Sequence, residues 1–308
     1  MTMTTTAATA AAPAPAALPR QIPYIIATEG CERFSFYGMR NSLTPFLVST
    51  LLLFLPLDER ALAAKDVFHT FVIGVYFFPL LGGWIADRFF GKYHTVLWLS
   101  MVYVAGHACL ALFEGNRTGF YTGLFLIALG SGGIKPLVSA LVGDQFDSSN
   151  KHRAKLVYDG FYWIINFGSF FASLLMPLFL RDLGPAIAFG IPGVLMAIAL
   201  VVFWLGRHRY VRLPPTPPNP HSLLRVARSA LLARDRGQAR PGLWIATLGI
   251  VVAMAALAMI PALGFVIGAC LALGALLAFG GIGTAMQLDR TRGVHPDEAV
   301  DGVRGVLR

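Results

Sequence analysis

Apolar residues gather in eight long stretches, at about 22–54, 67–87, 93–113, 119–142, 157–180, 185–206, 243–260 and 263–287. Each is long enough to cross about 30 Å of hydrocarbon as a helix. The pattern predicts an all-α, polytopic membrane protein. Short connections join the first six stretches, which predicts one six-helix bundle over 22–207. From Leu243 to Gln287 there is no ionisable side chain, and 243–287 predicts a lipid-facing, two-helix transmembrane hairpin. Residues 208–242 link the two. They hold Leu213-Pro-Pro-Thr-Pro-Pro-Asn-Pro220, a stiff extended segment. Beyond it, from His221 to Arg234, Leu223, Leu224, Ala227, Leu231 and Leu232 stand against Arg225, Arg228 and Arg234. That predicts a basic amphipathic helix on the inner leaflet. Residues 1–21 read as a disordered tail rather than a signal peptide, lacking a charged start and a continuous apolar run. Residues 288–308 read as the polar start of a further helix.

Polar positions inside the apolar stretches carry the chemistry. Glu29, Glu32, Arg33 and Arg40 all fall in the first. A charge at membrane depth costs at least ~2.5–3.5 kcal/mol on insertion scales, so it is kept where it faces a partner or a watery cavity. At 100° per residue, Glu29, Glu32, Arg33, Phe36, Tyr37 and Arg40 lie within roughly 140° of arc, one helix face. Glu29 and Arg33, four apart, can pair along it. In the fourth stretch, Gly130-Ser-Gly-Gly-Ile-Lys-Pro136 combines small residues for close helix approach, a lysine near mid-span and a helix-kinking proline. Lys135 is either a cation facing a cavity or one whose stem carries its charge to the interface. In the second stretch, His69 is a structural histidine or a titrating one, and Tyr76 is a core aromatic or a ligand. Asp87 and Arg88, in Gly82-Gly-Trp-Ile-Ala-Asp-Arg-Phe-Phe-Gly91-Lys92, suit a charge latch between sliding helices, or are ordinary interface charges.

Composition agrees with this reading, since only 13% of residues are charged, about half the share in soluble domains. The net charge of +9 raises nucleic-acid binding, but the placement of the charges argues against it. With the N-terminus in the cytoplasm, 18 of the 25 Lys and Arg residues fall on the cytoplasmic side. The positive-inside rule then puts both termini there, in an inner (plasma) membrane. Cys31, Cys109 and Cys270 lie in separate stretches and predict no disulfide framework. No Ser/His, paired-Asp or His/Cys metal arrangement stands at catalytic depth, so no enzyme, metal or cofactor is expected.

The Gly-x-x-x-Asp-Arg-x-x-Gly spacing of the 83–91 region resembles the loop between helices two and three of the major facilitator superfamily. Within that superfamily, Glu29-x-x-Glu32-Arg33-Phe34-x-Phe36-Tyr37-Gly38 resembles the first-helix signature of the proton-dependent oligopeptide transporters. Gly132-x-x-Lys135-Pro136, Gly143-Asp-Gln-Phe146 and Phe161-Tyr-Trp-Ile-Ile-Asn166-Phe-Gly-Ser169 resemble its fourth- and fifth-helix signatures. The resemblance covers 22–206, and 243–287 resembles the helix pair that bacterial members insert between bundles. It implies the six-helix N-terminal bundle of a major-facilitator-type transporter, with a second bundle absent here. That bundle would come from a longer chain or a second copy. One departure is Phe36, where the family usually has a second tyrosine beside Tyr37.

The resemblance implies proton-coupled symport of di- and tripeptides. Glu29 and Glu32 would carry protons, with His69 an additional site. The five buried charges leave one surplus cation, which a peptide carboxylate can neutralise. Arg33 and Lys135 would hold that carboxylate, Tyr37 and Asn166 would hydrogen-bond the peptide, and Arg40 and Tyr76 would flank it. Transport of another small anion such as nitrate, or a chain without transport activity of its own, are the alternatives. The expected partners are small peptides, protons and the lipid bilayer.

Overall fold

The first helix, α1 (Ile22–Phe46), takes Pro23 in its opening turn, where a missing N–H costs nothing. In the computed structural model, which describes residues 18–215, 217, 219–232 and 240–307, the helices fall into two units. Most of the expected tail and parts of the two 213–234 segments lie outside the described residues.

The first unit comprises residues 1–60 and 74–215. After α1 comes one π-helical turn, Leu47–Leu51. Arg60 satisfies the carbonyls beyond it, donating from Nε to Leu55 O (2.8 Å) and from Nη2 to Leu53 O (3.0 Å). Helix α2 (Leu57–Ile85) begins ten residues before the expected span. Its first turn is too polar to read as membrane, yet Asp58 and Glu59 suit a helix N-terminus, where the dipole favours negative charge. Residues 61–73 of this helix belong to the second unit. A second π-helical turn, Ala86–Phe90, leads into α3 (Gly91–Leu112). Gly91 has φ 73°, a left-handed conformation that favours glycine.

Then follow α4 (Arg117–Asp144), α5 (Ala154–Leu183) and α6 (Pro185–Leu205). The Asn116 side chain caps α4, accepting from Gly119 N at 3.0 Å. Helix α4 continues through Pro136. Its small residues explain how closely it packs. A Cβ on Gly123 would stand 2.8 Å from Gly106 O of α3, and one on Gly130 2.8 Å from Leu99 O. Aromatics close both ends of the core. Phe46, Phe120 and Phe189 meet with centroids 4.9–5.4 Å apart, while Phe203 stacks between Tyr93 and Tyr210 at 5.4 and 5.1 Å.

The second unit comprises residues 61–73 and 216–308. Its hairpin is α8 (Pro241–Ala258), the short α9 (Ile260–Leu263) and α10 (Phe265–Gln287). Ala253 and Ala256 meet Ala272 and Ala275, small residues that let the backbones approach in lipid. The amphipathic α7 (Leu223–Leu232) packs on α11 (Asp297–Leu307) through Val226 and Ala230 against Leu288, Val300 and Val303. Its buried face is therefore not the leucine set that the sequence suggests, and Leu223 and Leu224 stay exposed. Arg292 knits the end of this unit, reaching Asp289 (3.0 Å), Asp297 (2.6 Å) and Asp301 (2.9 Å).

Among the described residues, six helical stretches are long and apolar enough to cross a membrane. One of them, Leu57–Leu112, holds two of the expected spans, because the π-helical turn joins α2 to α3 without a break. The expected first span, α1, is not among the six, since ionisable and hydroxyl side chains interrupt its apolar surface.

Candidate functional site

The ionisable face of α1 turns inward. Glu29, Glu32 and Arg33 are all buried, with Arg33 between the two carboxylates. Arg33 Nε lies 2.9 Å from Glu29 Oε1, and Nη2 lies 2.5 Å from Glu32 Oε2. Arg33 Nε and Glu32 Oε2 are off the hydrogen-bonding line, so the attraction there is mainly coulombic. From α4, Ser131 Oγ donates to Glu32 Oε1 at 3.4 Å. Gly168 of α5 makes room for this cluster. A Cβ there would sit 3.0 Å from Gly30 O and 3.4 Å from Arg33 Cβ.

Lys135 projects from α4 over the Phe36 ring, its Nζ 3.5 Å from the centroid. A cation over an aromatic face gains electrostatic attraction, so Phe36 has a use even without a hydroxyl. Lys135 is within electrostatic reach of Glu29, Glu32, Arg33 and Arg40, and Tyr37 within reach of Arg33. Five charges and Tyr37 thus share one neighbourhood. Arg40, expected among the buried charges, is exposed.

Other expected residues stand apart from that centre. Asn166 is exposed on α5 and donates from Nδ2 to Tyr162 O (2.8 Å) on its own helix. Tyr76 is 76% exposed. His69 is exposed and belongs to the second unit. Asp87 and Arg88 lie exposed in the second π-helical turn, and neither makes an ion pair with another described residue. The ion pair near them is Lys92 Nζ with Asp144, at 2.7 and 2.8 Å to its two oxygens, tying α3 to α4. Next to it, Gln145 accepts from Gln21 Nε2 (3.0 Å) and Val211 N (2.9 Å), and donates to Leu141 O (2.9 Å) and Val211 O (3.2 Å). One amide thereby joins the start of α1, the end of α4 and the segment after α6. Both knots were missed from sequence, although Asp144 and Gln145 stand in the Gly143-Asp-Gln-Phe146 motif. Tyr103 was also missed. It is fully buried on α3 and stacked on His107 at 5.0 Å.

Long apolar helices, closely packed, with ion-paired charges buried among them define a multi-pass helical membrane protein. Comparison with known proteins narrows the class. The POT family profile matches residues 93–238. Solute carrier family 15 member 2 of Oryctolagus cuniculus is 40% identical over 211 residues, covering 64% of this chain and 28% of that protein. Peptide transporter family 1 of Drosophila melanogaster is 37% identical over 211 residues, covering 64% of this chain and 28% of that protein. Among solved structures, the POT family transporter PepTSo is 64% identical, with a TM-score of 0.91 over 95% of this chain and 58% of its own. The chain is similar to the POT family of transporters, by profile over residues 93–238 and by fold over 95% of its length. It spans about 30% of the length of these curated relatives.

Proposed function

We propose that this chain supplies the N-terminal half of a proton-coupled symporter of di- and tripeptides. The observation that carries the reading is Arg33 buried between Glu29 and Glu32, with Lys135 in electrostatic reach. Relatives named as peptide transporters support the substrate class.

Arg33 has two carboxylate partners and one positive charge. A proton arriving on either glutamate removes one claim on the guanidinium. Arg33, Lys135 and Arg40 can then offer positive charge to an incoming peptide carboxylate, a charge-assisted contact that Tyr37 can extend. When the carboxylate leaves, the guanidinium returns to the glutamates and the proton departs. Each ligand alters the charge the other meets, so binding of the two is reciprocally linked. Asn166 and Tyr76 fit the account as exposed polar groups that meet the peptide away from the charge centre. His69 is an additional protonation site, and Asp87 and Arg88 are latch residues that engage in another conformation. In such a symporter both ends of this chain would face the cytoplasm.

The test is uptake of a labelled dipeptide under an inward proton gradient. Unlabelled dipeptides should compete, and nitrate at equal concentration should not. Lys135→Ala should raise the dipeptide concentration for half-competition about tenfold or more, the scale of one lost charge-assisted hydrogen bond. The exposed hairpin change Leu271→Ala should leave it unmoved. Equal effects of the two variants, or competition by nitrate alone, would defeat the peptide assignment.

A further inference from the structure

Where α10 leaves its apolar run, the second unit holds a groove of about 480 Å³. Arg225, Arg228 and Ser229 of α7 face Arg290, Thr291 and His295 across it. The α7 contribution follows from helical spacing. Positions 225, 228, 229 and 232 share one stripe, while Val226 and Ala230 point into the α11 contact. His295, 8% exposed, is fixed by its Nδ1 against His221 Nδ1 (2.8 Å) and its Nε2 against Ser229 Oγ (2.9 Å).

Among the described residues, the ionisable side chains lining this groove are Arg225, Arg228, Arg290 and His295, with no acid beside them. Asp289, Asp297 and Asp301 bind Arg292, and Asp289 also binds Arg304. Neither Arg225 nor Arg228 makes an ion pair with another described residue, and both are exposed. Arg290 and Thr291 come within one turn of Gln287, the last residue of α10. A membrane-spanning α10 puts them at headgroup depth. Along the same rim, Leu232 and Val294 are exposed and apolar.

We propose that this groove binds the phosphate group of an anionic glycerophospholipid, with Arg225 and Arg228 as its cationic ligands. Guanidinium groups suit phosphate because their planar forks can donate two hydrogen bonds in parallel. Leu232 and Val294 lie where a glycerol backbone and the first acyl carbons would pass. Juxtamembrane basic residues attract anionic lipid in general, and this groove adds two arginines set one turn apart over a fixed floor.

The full chain, purified in an uncharged detergent, is titrated with dioctanoyl phosphatidylglycerol and bound lipid is counted by native mass spectrometry. Dioctanoyl phosphatidylcholine and sodium phosphate are titrated in parallel. Saturable phosphatidylglycerol binding is expected, weakened about tenfold or more in R225Q/R228Q. R225K/R228K should retain most of it, and K151Q/K155Q, which removes equal charge from the exposed start of α5, should match the unaltered protein. Should R225Q/R228Q not fold, Val294→Glu sets a carboxylate at the rim and should weaken binding as well. Equal phosphatidylglycerol affinity in the unaltered protein and the folded variants overturns the site. Equal binding of phosphatidylcholine, or an equal loss in K151Q/K155Q, also overturns it. Inorganic phosphate binding as tightly as phosphatidylglycerol would assign the groove to free phosphate and overturn the lipid.

Discussion

Replacing Arg33 with methionine keeps much of the side-chain volume and strands two buried carboxylates. Arg33 stands 2.9 Å and 2.5 Å from them. At an effective dielectric of about 20, each contact is worth roughly 6 kcal/mol before the cost of desolvation is subtracted. The net loss on removing one member of a buried pair is smaller, about 3–5 kcal/mol. Lys135, within reach of both glutamates, keeps the loss from doubling. At roughly 2–4 °C per kcal/mol, the apparent Tm should fall by some 6–20 °C. Intrinsic tryptophan fluorescence during a thermal ramp in detergent measures it. The decisive comparison is E32Q/R33M. It removes one stranded carboxylate and leaves Glu29 beside Lys135, so it should be more stable than R33M alone, by about 1–3 kcal/mol of coupling. Two results would refute the reasoning: an R33M protein as stable as the unaltered one, or a double variant no better than R33M.

Other outcomes follow from packing and titration. A Cβ at Gly82 would collide with the Gly133 backbone, whereas one at Gly280 meets nothing within 4 Å. Gly82→Ala should therefore destabilise by about 1–3 kcal/mol, and Gly280→Ala should raise or hold the Tm in the same thermal ramp. Outside the membrane, Asp147 is held below its ordinary 3.8 by hydrogen bonds from the Ser149 hydroxyl, then from the backbone of Ser149 and Asn150. Its folded pKa is depressed, so its stabilisation is present above the unfolded value and lost as pH falls through the folded one. Stability measured below about pH 4 should decline less in Asp147→Asn than in the unaltered protein. An identical pH profile would show that this turn adds nothing.

What the sequence revealed and what it concealed divide along physical lines. The inward face of α1 was legible because 3.6-residue periodicity fixes which side chains share a face, and intramembrane charge has few other reasons to exist. Lys135 came with it, since Gly130 to Gly133 mark where α4 must be approached closely. Pairings between distant segments left no such trace. Lys92 and Asp144 stand 52 positions apart, and neither residue type names its partner. The adjacent Asp87-Arg88 dipeptide was the more visible candidate, yet both side chains are exposed. The π-helical turns were hidden because they add one residue to a turn without changing composition. In α7, leucines and arginines gave the amphipathic pattern. The buried positions were nonetheless Val226 and Ala230, because the partner surface of Leu288, Val300 and Val303 decides which stripe is covered.

Proton coupling is the centre of the account, and Glu32→Gln tests it most directly. Proteoliposomes holding the protein are assayed for labelled dipeptide in two ways: exchange against internal peptide with no gradient, and uphill uptake driven by an inward proton gradient. The account predicts that the variant keeps exchange, because Glu29 still holds Arg33 and the cations still meet the peptide. It predicts loss of uphill uptake, because coupling requires two carboxylates to compete for Arg33, and the amide leaves Glu29 with no rival claim. Uphill uptake at the unaltered rate would contradict it.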